Sequence, residues 1–103
     1  MTEKVFVFYD LNDGVDIEEY KEWSRTVDQP TCNASPICHS IEIYLLESKI
    51  EGQSFYRVAE SIEVESWDAW EAALKSEEFA KMSEEWPRFG NGDSAVVVTG
   101  TKI

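Results

Sequence analysis

Across residues 38–67 the apolar side chains fall on every second position, twice, with a polar break between. Ile41, Ile43 and Leu45 alternate with Ser40, Glu42 and Tyr44. Val58, Ile62 and Val64 alternate with Arg57, Ser61 and Glu63. Period-two alternation rich in β-branched residues is what a strand with one dry face requires. The stretch therefore predicts two strands joined by a hairpin loop over 48–53, where Lys49, Glu51 and Gly52 sit. Two polar residues interrupt the stripes. His39 is in phase with Ile37, Ile41 and Ile43, and Glu60 with Val58, Ile62 and Val64. Pairing Leu46 with Phe55 sets Ile41 opposite Glu60 and puts both stripes on one face. His39 is then diagonal to Glu60 and within reach of it. An imidazole and a carboxylate side by side on a covered face are a candidate acid–base pair.

The rest of the chain supplies the partners of that hairpin. Residues 4–11 read as a strand apolar on both sides, with Val5, Val7 and Tyr9 on one and Phe6 and Phe8 on the other. Such a strand belongs in the middle of a sheet covered on each face. Asn12-Asp13-Gly14 signals a turn. Asp16 can cap a helix, with Glu19 in the capping-box position. Ile17, Tyr20, Trp23 or Ser24, and Val27 then follow helical spacing. Pro30 predicts that this helix fails near Gln29. Asp28 would sit at its C-terminal end, where a negative charge opposes the macrodipole, and 31–36 would be a loop.

Beyond the hairpin, Ser66 reads as an N-cap, and Trp67, Trp70, Ala73 and Leu74 form an apolar stripe. Ser76 looks like a second cap, followed by Glu77 and Glu78. Phe79, Met82 and Trp86 continue the spacing until Pro87. This is one kinked helix or two short ones meeting near Lys75. Residues 88–93 read as a loop and 94–103 as a last strand. The order β-α-β-β-α-β gives an α+β, ferredoxin-like sandwich in one domain, 1–103. Helices cover only one face of such a sheet. A homodimer packed sheet on sheet would cover the other, giving a dimeric α/β barrel.

Composition limits the partners. A formal net charge of −12 disfavours nucleic acid and anionic membrane. A chain of 103 residues can bury about 65% of its unfolded surface. Cys32 and Cys38 have no CxxC spacing and read as free buried thiols. No window is long enough to span a bilayer and no basic-then-apolar leader opens the chain, so a cytoplasmic protein is expected. No G-x-G-x-x-G, P-loop or H-E-x-x-H motif is present, and no metal, flavin or nicotinamide cofactor is expected.

The run YKEWSRTVDQPT, the following SIEIY, the strand FYRVAESIEV around Glu60 and the acidic helix after it resemble the REDY-like (HapK) family. The spacing that carries the resemblance is Tyr20-x-x-Trp23, Asp28-x-Pro30, Tyr44 and Glu60. It spans nearly the whole chain. It implies a dimeric α/β barrel and a small aromatic or heterocyclic ligand between sheet and helices. It also implies cofactor-free condensation or cyclisation in natural-product biosynthesis, on pyrrole- or indole-like intermediates.

Candidate catalytic residues are Glu60, His39 and Asp28. A carboxylate on an apolar face is costly unless paired, and burial fits it for proton transfer near neutral pH. The structural alternative for Glu60 is a salt bridge to Arg57 or Arg88, or an outward register. For His39 it is a solvent-edge position, and for Asp28 a loop cap on the Thr31 or Cys32 amides. Trp23, Tyr44, Tyr9, Trp67 and Trp70 either line the ligand cavity or fill the core. An enzyme, a cofactor-free monooxygenase of the same fold and a non-catalytic ligand-binding protein all remain open at this level.

Overall fold

The computed structural model describes residues 2–53 and 55–103. Strand β1 (Glu3–Leu11) leads through a turn at Gly14, whose φ of 80° favours glycine, into α1 (Ile17–Trp23). A π-helical turn (Ser24–Asp28) and α2 (Gln29–Ala34) continue the same helical run. Strands β2 (Cys38–Leu45) and β3 (Val58–Val64) form the hairpin. Then come α3 (Trp67–Leu74), a 3₁₀ turn (Glu77–Phe79), α4 (Ala80–Glu85), a second 3₁₀ turn (Trp86–Arg88) and β4 (Gly90–Gly100). The sheet is antiparallel with order β2-β3-β1-β4, the ferredoxin-like arrangement expected from the element order. No helix among the described residues is long and apolar enough to cross a membrane.

Local chemistry explains the boundaries. The Asp16 side chain accepts from the Glu18 and Glu19 amides, and Ser66 from the Ala69 amide, so both caps form. Glu19 does not close the capping box. Its carboxylate accepts from Arg88 at 2.9 Å instead. Ser76 is no side-chain cap either, because its hydroxyl donates back to the Ala73 carbonyl. The helix does not fail at Gln29. Pro30 falls in the first turn of α2, where its fixed φ suits the helix. The Gln29 amide reaches back five residues to the Ser24 carbonyl, a widened turn in place of an α-helical one. Strand β4 begins at Gly90 rather than after 93.

The hairpin register differs from expectation by two residues. Ile41 faces Ile62, and Ile43 faces Glu60. The Leu46 amide bonds the Arg57 carbonyl, so the connection is longer than the loop over 48–53. A shift of two leaves every side chain on its face, so the apolar pattern does not distinguish the two registers. A second difference changes faces. The ladder slips between Cys38 and Ser40, a β-bulge centred on His39. The extra residue moves Cys38 into the core and His39 out of it.

One core cluster contains Val5, Cys32, Cys38, Ile62, Val64, Trp70 and Phe79, and the other Tyr9, Tyr20, Trp23, Val58 and Phe89. Val7 packs against both. The expectation that β1 is covered on both sides holds within the chain for one face. Phe6 and Phe8 remain half-buried on the other, level with Val98 and Val96 of β4.

Candidate functional site

Glu60 sits at the seam between the two clusters. It follows Val58 and precedes Ile62 on the covered face of β3, flanked by Val7 on β1 and Ile43 on β2. These neighbours offer no charge, so the carboxyl is held in an apolar trough. The Tyr9 hydroxyl donates to Glu60 Oε2 at 3.0 Å and lies 2.6 Å from the Tyr20 hydroxyl. A phenol has one proton, so when Tyr9 donates to Glu60, Tyr20 donates to Tyr9. Burial pushes the Glu60 carboxyl well up toward neutrality, the nearby Asp28 charge raises it further, and the Tyr9 bond partly offsets both.

Asp28 is the second member of the site. It closes the π-helical turn and is only 4% exposed. The loop-cap alternative does not apply, since its Oδ2 is buried without a hydrogen-bond partner. Burial pushes this carboxyl up toward neutrality as well. Because the Asp28 charge raises Glu60, the two acids do not ionise independently, and the pair loses its protons in two steps. Cys32, also buried, is close enough for both charges to raise its thiol, and burial raises it most. Tyr9 and Tyr20 are likewise held far above the ordinary phenol range, chiefly by burial.

Aromatic packing fixes the phenols. Tyr9 meets Trp86 edge-on at 5.0 Å, and Trp23 lies beside both Tyr20 and Phe89. The Trp23 indole N–H donates to Glu85 at 2.9 Å, tying that ring to α4. Between α1, the π-helical turn and β2 lies a cavity of about 140 Å³ lined by Tyr20, Lys21, Ser24, Arg25, Gln29, Ile43 and Leu45. Tyr20 thus belongs both to the cavity wall and to the hydroxyl chain that ends at Glu60.

Of the residues singled out from sequence, the structure brings Glu60, Asp28 and Tyr9 together and props them with Trp23. His39 is a correction. The bulge turns it to the exposed side, where it meets Glu65 at 2.6 Å, so the proposed His39–Glu60 pair does not form. Tyr44 is another, 51% exposed on the face away from the helices. Trp70 packs edge-on to Phe79 in the first cluster, with Trp67 against it, and neither lines the cavity beside Tyr20. The salt bridge from Glu60 to Arg88 is absent, Arg88 being engaged by Glu19. In the sequence Tyr20 stands in an apolar stripe and in the Tyr20-x-x-Trp23 spacing of the resemblance, but not among the candidate site residues. A phenol there, which must satisfy a hydroxyl when buried, was the available signal. Among the described residues, no group of three or more His, Cys, Asp or Glu side chains is placed to hold a metal ion.

Comparison with known proteins agrees with this geometry in fold. The family model for the REDY-like protein HapK matches residues 3–103. HapK from Hahella chejuensis is 17% identical, with a TM-score of 0.74 over 97% of this chain and 92% of its own. An EthD-family protein from Bacillus halodurans is 14% identical, with a TM-score of 0.72 over the whole of both chains. A dimeric ferredoxin-like protein of unknown function from Bacteroides fragilis is 18% identical, with a TM-score of 0.68 over 98% of this chain and 96% of its own. Among curated proteins no match is found.

Proposed function

Because the chain belongs to the REDY-like HapK family, we propose that it is a small homodimeric enzyme of natural-product biosynthesis. It performs acid–base chemistry on a single-ring aromatic or heterocyclic intermediate without a cofactor. The observation that carries this reading is the Glu60 carboxyl hydrogen-bonded to Tyr9 and through it to Tyr20, a residue that lines a cavity, with the buried Asp28 carboxyl near enough to raise Glu60.

The chemistry follows from the hydrogen bonds. When Asp28 holds the pair's proton, Glu60 is the carboxylate and can act as base, and an acid–base catalyst works best when it titrates near neutral pH. A substrate proton delivered to the Tyr20 oxygen releases the Tyr20 proton to Tyr9, and the Tyr9 proton passes to Glu60. Both phenols end neutral, and the substrate is left as an enolate or an activated ring nucleophile. The reverse sequence returns the proton after the new bond forms. Positioning in a cavity of this size suits a condensation or ring closure, for which orientation and proton transfer are the main requirements.

The test is solvent exchange with 2-acetylpyrrole, followed by loss of the acetyl methyl proton signal in deuterium oxide. The wild-type protein should accelerate exchange above the buffer rate, and Glu60→Gln and Asp28→Asn should return it to that rate. Exchange at the buffer rate with wild type would leave a binding protein as the reading. Oxygen uptake dependent on an electron-rich ring would favour a monooxygenase.

A further inference from the structure

We propose that the ligand of the cavity beside Tyr20 carries a negative charge, a single-ring carboxylate whose anion is held at the mouth by Arg25. This rests on the acid–base reading above and names its substrate class.

The three walls of the cavity differ in kind. Tyr20 and Ile43 offer an aromatic and an aliphatic surface, suited to the faces of a flat ring. Ser24 and Gln29 form a polar wall, tied by a bond of 3.1 Å from the Gln29 amide to the Ser24 hydroxyl. Lys21 and Arg25 complete the lining. A volume of about 140 Å³ is close to that of a site known to accept one benzene ring. The cavity therefore has space for one ring and a small substituent, not for a fused or linked pair.

The charge of the lining is what selects the substituent. The chain has nine cationic side chains against 21 carboxylates, yet two of the nine line this cavity and no acid does. The cavity at the first turn shows the contrast. It is lined by Asp13, Asp16 and Glu19, and its Arg88 is already paired with Glu19. Lys21 shares its charge with Glu18 at 3.4 Å. Arg25 has no carboxylate partner among the described salt bridges. In a chain with a formal charge of −12, a cavity lined by two cations and no acid, one of them without a carboxylate partner among the described salt bridges, favours an anion locally. A guanidinium also fits a carboxylate with two parallel bonds, which a neutral ring cannot use. Anchoring the anion at Arg25 turns the opposite edge of the ring toward Tyr20 and the proton chain.

Benzoate and benzyl alcohol, which share the ring and differ in charge, test this by titration of the amide spectrum. Benzoate should shift the Tyr20, Ser24 and Ile43 amides saturably and bind at least about tenfold more tightly than benzyl alcohol. Arg25→Gln should remove that preference. Ile43→Trp, which fills the cavity, should abolish binding of both. Equal affinity for the two probes, a preference that survives Arg25→Gln, or benzoate binding that survives Ile43→Trp would each overturn the proposal. Loss of the benzoate preference while Glu60→Gln stops the exchange of 2-acetylpyrrole would sink the substrate class and leave the acid–base reading standing. A benzoate preference without any exchange would support the anion site and sink that reading.

Discussion

Glu60 and Asp28 define the pH behaviour of the molecule at the scale of single residues. Both carboxyls have folded pKa values raised by burial. At low pH they are protonated in the folded and unfolded states alike, and no penalty exists. As pH rises past about 4 the unfolded chain loses these protons first, while the folded chain retains them. The folded state then binds more protons than the unfolded one, so stability falls with pH until the pair ionises near neutrality. Replacing Glu60 with Gln removes one of the two acids and its repulsion on the other. Urea unfolding at pH 5 and pH 8 should find Glu60→Gln as stable as wild type or more so at pH 8, with a flatter pH dependence. A variant clearly weaker at pH 8 would mean that the ionised Glu60 stabilises the fold, which contradicts the acid–base role. A second residue-scale prediction concerns Gly90. A Cβ there would run into the Trp86 indole, the ring that packs edge-on to Tyr9. Gly90→Ala should cost about 1–3 kcal/mol in the same unfolding assay. A neutral effect would show that Trp86 is free to move.

At the scale of elements, two one-residue irregularities decide which side chains meet. The bulge at His39 turns the histidine away from Glu60 and leaves it an exposed partner of Glu65. Exposed pairs contribute little, so His39→Ala should change stability by about 1 kcal/mol or less and leave proton exchange of a bound substrate unchanged. Lost exchange in that variant would return His39 to the site. The π-helical turn does the opposite service for Asp28. It lets the helical run pass Pro30 and ends with Asp28 buried. Deleting Thr26 would convert the widened turn to an α-helical one and rotate the helix face by about 100°. The expected result is a folded protein by circular dichroism with no exchange activity, and retained activity would show that Asp28 is dispensable. These cases mark what sequence periodicity carries. Alternation placed Glu60 on the covered face of β3 because nothing interrupts Val58–Val64. It placed His39 on the wrong face because a bulge leaves no mark in the count of apolar residues. The register error of two was invisible for a related reason, since period two is blind to it. Pro30 reads as a stop near Gln29 because proline disfavours the helical conformation at the residue before it, and nothing in the spacing announces the wider turn. Tyr20 was legible as a buried helix position but not as half of a hydroxyl pair, because its partner Tyr9 lies on another element.

The whole molecule presents a sheet with one dressed face and one bare one. On the bare side Phe6 and Phe8 of β1 lie level with Val98 and Val96 of β4, and Tyr44 of β2 is half exposed. A contiguous apolar face of this kind on a small protein marks an interaction surface. A second copy is the occupant with matching chemistry, since a two-fold axis brings the same apolar row against itself. Charge works against this assembly. Each copy carries a formal charge of −12, so two copies repel at low ionic strength and the apolar contact must exceed that repulsion. The expected behaviour in sedimentation is a dimer at micromolar concentration whose dissociation constant falls as salt is raised from about 20 to 300 mM, because screening shortens the reach of the repulsion. Phe8→Glu and Val96→Glu should each give a folded monomer, since each places a charge in the centre of the desolvated face. Both side chains point away from Glu60, Asp28 and the cavity beside Tyr20, so solvent exchange in these monomers measures whether one copy suffices for the chemistry. A wild-type monomer at micromolar concentration, at either salt level, would defeat the sheet-on-sheet assembly and leave the exposed Val96, Val98 and Tyr44 without a partner.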